Sequence, residues 1–153
     1  MGCNNILESR GGKLRLTAKD YLLRYKLMTT KIETAERELA DLREKRTAIA
    51  VNLDGMPHGS RLSDWTARLA AEIADSEAVL TDMRVQAERI RRDILRTLDR
   101  LSDPTDYNLL YLRYVRGYKW EAVAAELYYS YQWTSGHLHD HALESLQAVL
   151  DNT

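Results

Sequence analysis

Apolar side chains recur at Tyr21, Tyr25, Met28, Ile32, Ala35, Leu39, Leu42 and Ile49 in steps of four and three, with Arg46 in the one missing place. A seam of that period, sustained for about four heptads, predicts a coiled-coil-like helix. Thr17, just ahead of it, is a candidate N-cap. The pattern stops over residues 52–61, where Gly55, Pro57 and Gly59 mark a loop. A second seam then runs Leu69, Ile73, Ser76, Leu80, Met83, Ala87, Ile90, Ile94, Thr97 and Leu101, with Ser63 as its candidate cap and Trp65 expected near the loop. Two seams of similar length across a short loop predict a long antiparallel helical hairpin over residues 17–102. Each arm should be about 50–60 Å long. Residues 1–16 carry Gly2, Gly11 and Gly12 and no apolar period, and read as a flexible tail.

The pattern changes after Ser102-Asp103-Pro104. A capping Asp or Ser followed by Pro opens a helix, here expected over residues 105–116 with Leu109, Leu112 and Tyr111 turned inward and Gly117 as its stop. A short helix over 119–127 presents Trp120, Val123, Ala124 and Leu127 as one stripe. Tyr128, Tyr129 and Ser130 form a turn, and Ser130 caps a helix over 131–150 that should bury Thr134, Leu138, Ala142, Leu146 and Val149. The expected fold is all-α, with a hairpin followed by a three-helix helix-turn-helix module over 103–153.

Charge adds a complication. The net charge is −1, but residues 103–153 hold three basic and seven acidic side chains, a local −4. Phosphate neutralisation supplies most non-specific DNA affinity, and the helix over 131–150 carries Asp140 and Glu144 with no Lys or Arg. The run Arg89, Arg91, Arg92, Arg96 and Arg100, broken by Asp93 and Asp99, reads as a solvated face. No stretch of about 18 apolar residues suggests a membrane span, and no secretory leader is expected. Cys3 is the single cysteine. Together these fit a reducing cytoplasm. Walker loops, Gly-x-Ser-x-Gly, His-Glu-x-x-His and paired cysteines are absent from the sequence. No enzyme, no cofactor and no metal are expected. His137 and His141, with Asp140 and Glu144 on the same stripe, have metal-ligand spacing but read as surface side chains.

The stretch Leu112-Arg113-Tyr114-Val115-Arg116-Gly117, then Trp120-Glu121 with Val123-Ala124 and Leu127, then Tyr129-Ser130, then Leu138-His139 and Ala142-Leu143, resembles ArpU/RinA-like phage transcriptional regulators. Their C-terminal unit is similar to region four of sigma factors, and the hairpin with its Met56-Pro57 to Ser60 loop looks like theirs as well. The resemblance implies activation of phage genes through contact with double-stranded DNA and with RNA polymerase.

On that expectation the base-reading candidates are Gln132, Trp133, Ser135, Gly136, His137 and His139, and the phosphate-holding candidates are Arg113, Arg116 and Lys119. His139 has a second reading as a partly buried, hydrogen-bonded histidine, which the family pattern implies. Tyr128 stands where Gly is frequent, so a positive φ there should be strained. Gly136 inside a helix should cost about 1 kcal/mol against Ala. Tyr118, Tyr128 and Trp133 are candidates for a protein-facing aromatic patch. The alternative function is therefore a phage protein on the same fold that contacts or inhibits a host complex, either RNA polymerase or a defence system. A homodimer through the hairpin is expected from its thin core.

Overall fold

A computed structural model describes residues 16–52 and 59–153, and among these it is all-helical with no strand. Helix α1 spans Ala18–Asn52 and α2 spans Ser60–Leu98. Next come α3 (Pro104–Leu110), a π-helical turn π1 (Tyr111–Val115) and α4 (Trp120–Leu127). A second π-helical segment, π2 (Trp133–Leu138), leads into α5 (His139–Asp151). No helix among the described residues is long and apolar enough to cross a membrane. Residues 1–15 of the expected tail and the loop residues Gly55 and Pro57 lie outside the described residues.

The chain divides into two compact units. Among the described residues, one lies within 27–90; the other joins residues 16–26 to residues 91–153. In the first, Leu39, Leu69, Ile73 and Leu80 are buried together, and Ile32, Ala35, Leu42 and Ile49 pack against them. All eight belong to the two seams. Arg43 pairs with Glu77 at 2.8 Å and Arg84 with Glu36 at 2.7 Å, so residue numbers in α2 fall as those in α1 rise. Both pairs are about half exposed and add little stability. Trp65, expected to pack, is 47% exposed. Gly59, not Ser63, precedes α2: its carbonyl accepts from Leu62 N and Ser63 N, which places Ser63 inside the first turn.

The second unit begins with the expected cap. Thr17 Oγ1 accepts from Asp20 N at 3.2 Å and donates to Asp20 Oδ2 at 2.7 Å. Such reciprocal bonding stabilises a helix start. A boundary at residues 102/103 does not describe this unit, because the first turns of α1 and the last turns of α2 are part of its core. Leu22, Ile94 and Leu98 are fully buried, as are Leu109, Leu110 and Leu146. Tyr21 OH lies 2.9 Å from Asp93 Oδ2 and 2.7 Å from Thr97 Oγ1. Ala18 N donates to Gln147 Oε1 at 2.8 Å, and Arg100 to Thr153 Oγ1 at 2.7 Å.

Helix α3 starts as its residues dictate, with Asp103 Oδ1 accepting from Thr105 N at 2.8 Å and Pro104 in the first turn. The helix then widens: Arg116 N donates to Tyr111 O, five residues back. This added residue per turn changes which side chains face inward. Leu109, Leu110 and Tyr114 are buried, while Leu112 and Tyr111, expected inside, are only half-buried. Gly117 ends the segment at φ +72°, a conformation that favours glycine.

Candidate functional site

Helix α4 buries Val123 and Ala124 and half-buries Trp120 and Leu127, the predicted stripe. It stops at Tyr128, which adopts φ 60°, ψ 36° with its side chain 95% exposed. A left-handed non-glycine residue costs about 1–2 kcal/mol, and this ring recovers none of it by packing. Ser130 then caps the next helix: its Oγ accepts from Trp133 N at 3.2 Å, and its carbonyl accepts from Thr134 N at 3.0 Å.

The wide turn of π2 sets the orientation of everything after Ser130. Thr134 Oγ1 donates to Ser130 O at 2.8 Å and Ser135 Oγ to Tyr131 O at 2.9 Å, so hydroxyls help to satisfy carbonyls where the backbone ladder changes register. Buried positions run Thr134, His139, Ala142 and Leu146. The first step is five, as a π turn requires. An uninterrupted α-helix would have turned Leu138 inward; the structure turns His139 inward and leaves Leu138 half-buried.

Of its two readings, His139 therefore takes that of a buried, hydrogen-bonded histidine and drops out of the base-reading candidates. Its Nε2 lies 2.7 Å from Tyr114 OH in a buried contact, and its ring meets the Trp120 edge with centroids 4.7 Å apart. Burial lowers its pKa below the usual histidine value. Gln132, Trp133 and His137 are exposed, and Ser135 and Gly136 are half-exposed. Trp133 and His137 stack, with centroids 4.2 Å apart. A Cβ built on Gly136 meets nothing within 4 Å, and its φ is not positive, so the fold does not require glycine there. Gly136→Ala should raise unfolding stability by about 0.5–1 kcal/mol in a denaturant titration. A loss instead would reveal strain at π2.

The three phosphate-holding candidates differ. Arg113 is occupied internally: its Nη1 donates to Tyr118 O at 2.9 Å and its guanidinium lies 4.7 Å from the Trp120 ring centroid. Arg116 is exposed and reaches Tyr118 OH at 3.5 Å, and Lys119 is exposed at the start of α4. Tyr118, proposed as protein-facing, is half-buried. Tyr129, Tyr131 and Trp133 are 45–49% exposed. Residues 120–153 carry Glu121, Glu126, Asp140, Glu144 and Asp151, all exposed, and no Lys or Arg.

The histidines expected to share a stripe do not converge. His141 Nδ1 lies 2.9 Å from Oδ1 of Asp106, a carboxylate only 3% exposed that the periodicity did not single out. Asp103, Asp106 and His141 offer ligand atoms within 4.8 Å of one another. Each is already used by the fold, Asp103 as a cap and the other two as a pair. Hydrogen bonding and attraction to Asp106 raise the His141 pKa.

The two histidines give opposite pH slopes. A raised folded pKa stabilises fully below the unfolded value of about 6.5, and that contribution is lost as pH rises through the folded value. A lowered one, as for His139, stabilises fully above about 6.5 and is lost as pH falls toward the folded value. His141→Gln should therefore remove the decline in melting temperature on the alkaline side and keep the one on the acid side. A melting profile that is flat below about pH 6.5 in that variant would contradict the role given to His139.

No family model, curated protein or solved structure matches the chain.

Proposed function

We propose that this chain is a phage or prophage transcription regulator of the ArpU/RinA-like kind, acting in the cytoplasm of the bacterial host. In this reading α1 and α2 form an antiparallel helical hairpin, and residues 103–153 form a sigma region-four-like helix-turn-helix that engages double-stranded DNA. One observation carries it: a Ser130-capped helix buries Thr134, Ala142 and Leu146 and leaves Gln132, Trp133 and His137 exposed in its first turns. That is the arrangement by which a recognition helix reads base edges. Gln132 offers a bidentate amide to adenine, while Arg116 and Lys119 hold phosphates. With two cations at work, log K should fall against log salt with a slope of about −2, shallow for a DNA-binding protein. A gel-shift titration on phage promoter DNA checks this. Gln132→Ala combined with His137→Ala should abolish sequence preference; an unchanged preference removes the helix from the reading role. The half-buried seam residues of α1, Ile32, Ala35, Leu42 and Ile49, support a homodimer through the hairpin, which light scattering of the intact chain tests.

A second reading keeps the fold and changes the partner to a host protein complex, either RNA polymerase or a defence system. The five exposed acids and absent cations of residues 120–153 favour it.

A further inference from the structure

Four side chains share one face of the C-terminal helix: Trp133, His137, Asp140 and Glu144, in steps of four, three and four, all exposed. The observed Trp133–His137 stack shows that the spacing holds through π2. Neither Asp140 nor Glu144 has an ion-pair partner among the described residues. Five residues before Trp133, at the turn that leads into this helix, Tyr128 is 95% exposed on a left-handed backbone. Backbone strain of that kind clusters at functional contacts.

We infer that this face docks an Arg- or Lys-rich segment of a protein partner. The inference rests on the protein-contact reading and gives it a partner chemistry. Charge complementarity carries it: a guanidinium or ammonium stacks on Trp133 and Tyr128, and further cations meet Asp140 and Glu144. From Trp133 to Glu144 the helix runs about 16 Å, the span of about five extended residues. A DNA backbone is disfavoured on this face, because the two carboxylates repel phosphate, and the nearby His141 is engaged by buried Asp106.

The test uses the full chain and a fluorescent Arg-rich peptide, with polarisation read at about 0.15 M salt, where weak long-range attraction is screened. Asp140→Asn with Glu144→Gln should weaken binding about tenfold, and Tyr128→Gly several-fold. The control pair Glu72→Gln with Asp75→Asn, exposed on α2, should leave it unchanged. Equal binding by the Asp140/Glu144 variant, or an equal loss in the control, overturns the inference. So does duplex DNA that displaces the peptide and binds more tightly once Asp140 and Glu144 are neutral, which assigns the face to DNA. If the peptide fails while wild type but not Trp133→Ala still captures a host protein, the cationic class falls and the protein-contact reading survives. If both fail, that reading falls too.

Discussion

Replacing Leu22 by Ala should destabilise residues 91–153, far away in sequence, and leave residues 27–90 largely protected. Leu22 lies in the second turn of α1, yet its side chain has no exposed surface and it belongs to the unit that contains α3, α4 and α5. Removing a buried Leu side chain to Cβ loses the transfer term and leaves a cavity, together about 2–5 kcal/mol. Ile94 and Leu98 of the same unit are also fully buried, so the side chain lies in a tightly packed core and the upper half of that range is expected. Amide exchange mapped by residue reads the outcome. Protection should fall through Ile94, Leu98, Leu110 and Leu146 and persist at Leu39, Ile73 and Leu80. A loss confined to residues 27–90, or one below about 1 kcal/mol, would refute the assignment of the α1 start to the C-terminal core.

Trp120→Ala should destabilise the same unit by about 2–4 kcal/mol, less than a fully buried aromatic because Trp120 keeps part of its surface in water. Its ring is held on two sides. The Arg113 guanidinium covers its face at 4.7 Å, and the His139 ring meets its edge at 4.7 Å. Truncation therefore releases Arg113 from a cation–π contact worth about 0.5–1 kcal/mol and opens His139 to water. Two readouts separate this from a plain loss of packing. The His139 pKa, lowered by burial in the intact protein, should move back toward the ordinary value, seen by NMR titration. Trp120→Phe should restore most of the stability while leaving part of that shift. An unmoved His139 titration in Trp120→Ala would show that the ring is not what shields it.

Much of this architecture is legible in the residues. The four-three steps of the seams located Leu39, Leu69, Ile73 and Leu80, because a side chain repeating every 3.5 residues must stay on one side of a helix. Capping was equally readable at Thr17, Asp103 and Ser130, since a short polar side chain before an apolar period has a backbone N–H to satisfy. Gly117 and Tyr128 were identified as chain reversals, and both have positive φ.

Periodicity failed at the two π turns. An extra residue per turn is invisible to a 3.6-residue rule, so Leu112 and Leu138 were expected where Tyr114 and His139 are buried. The buried, hydrogen-bonded reading of His139 came from the family resemblance, not from the period. The internal contacts of Arg113 were not legible either: only the fold brings the Tyr118 carbonyl and the Trp120 face to its guanidinium. Asp106 carried no signal, because an acidic residue in a first helical turn is ordinary until a histidine from another helix arrives beside it.

By itself the sequence determined the caps at Thr17, Asp103 and Ser130, the stops at Gly117 and Tyr128 and the seams of α1 and α2, since these depend on neighbours within a few residues. Tertiary structure decided the rest: the inclusion of Leu22, Ile94 and Leu98 in the C-terminal core, the widened turns, and the division of polar side chains between internal bonds and open surface. Those outcomes follow from contacts between segments far apart in the chain, where the gain from burying a Leu or pairing a carboxylate outweighs the local preference for a regular α-turn.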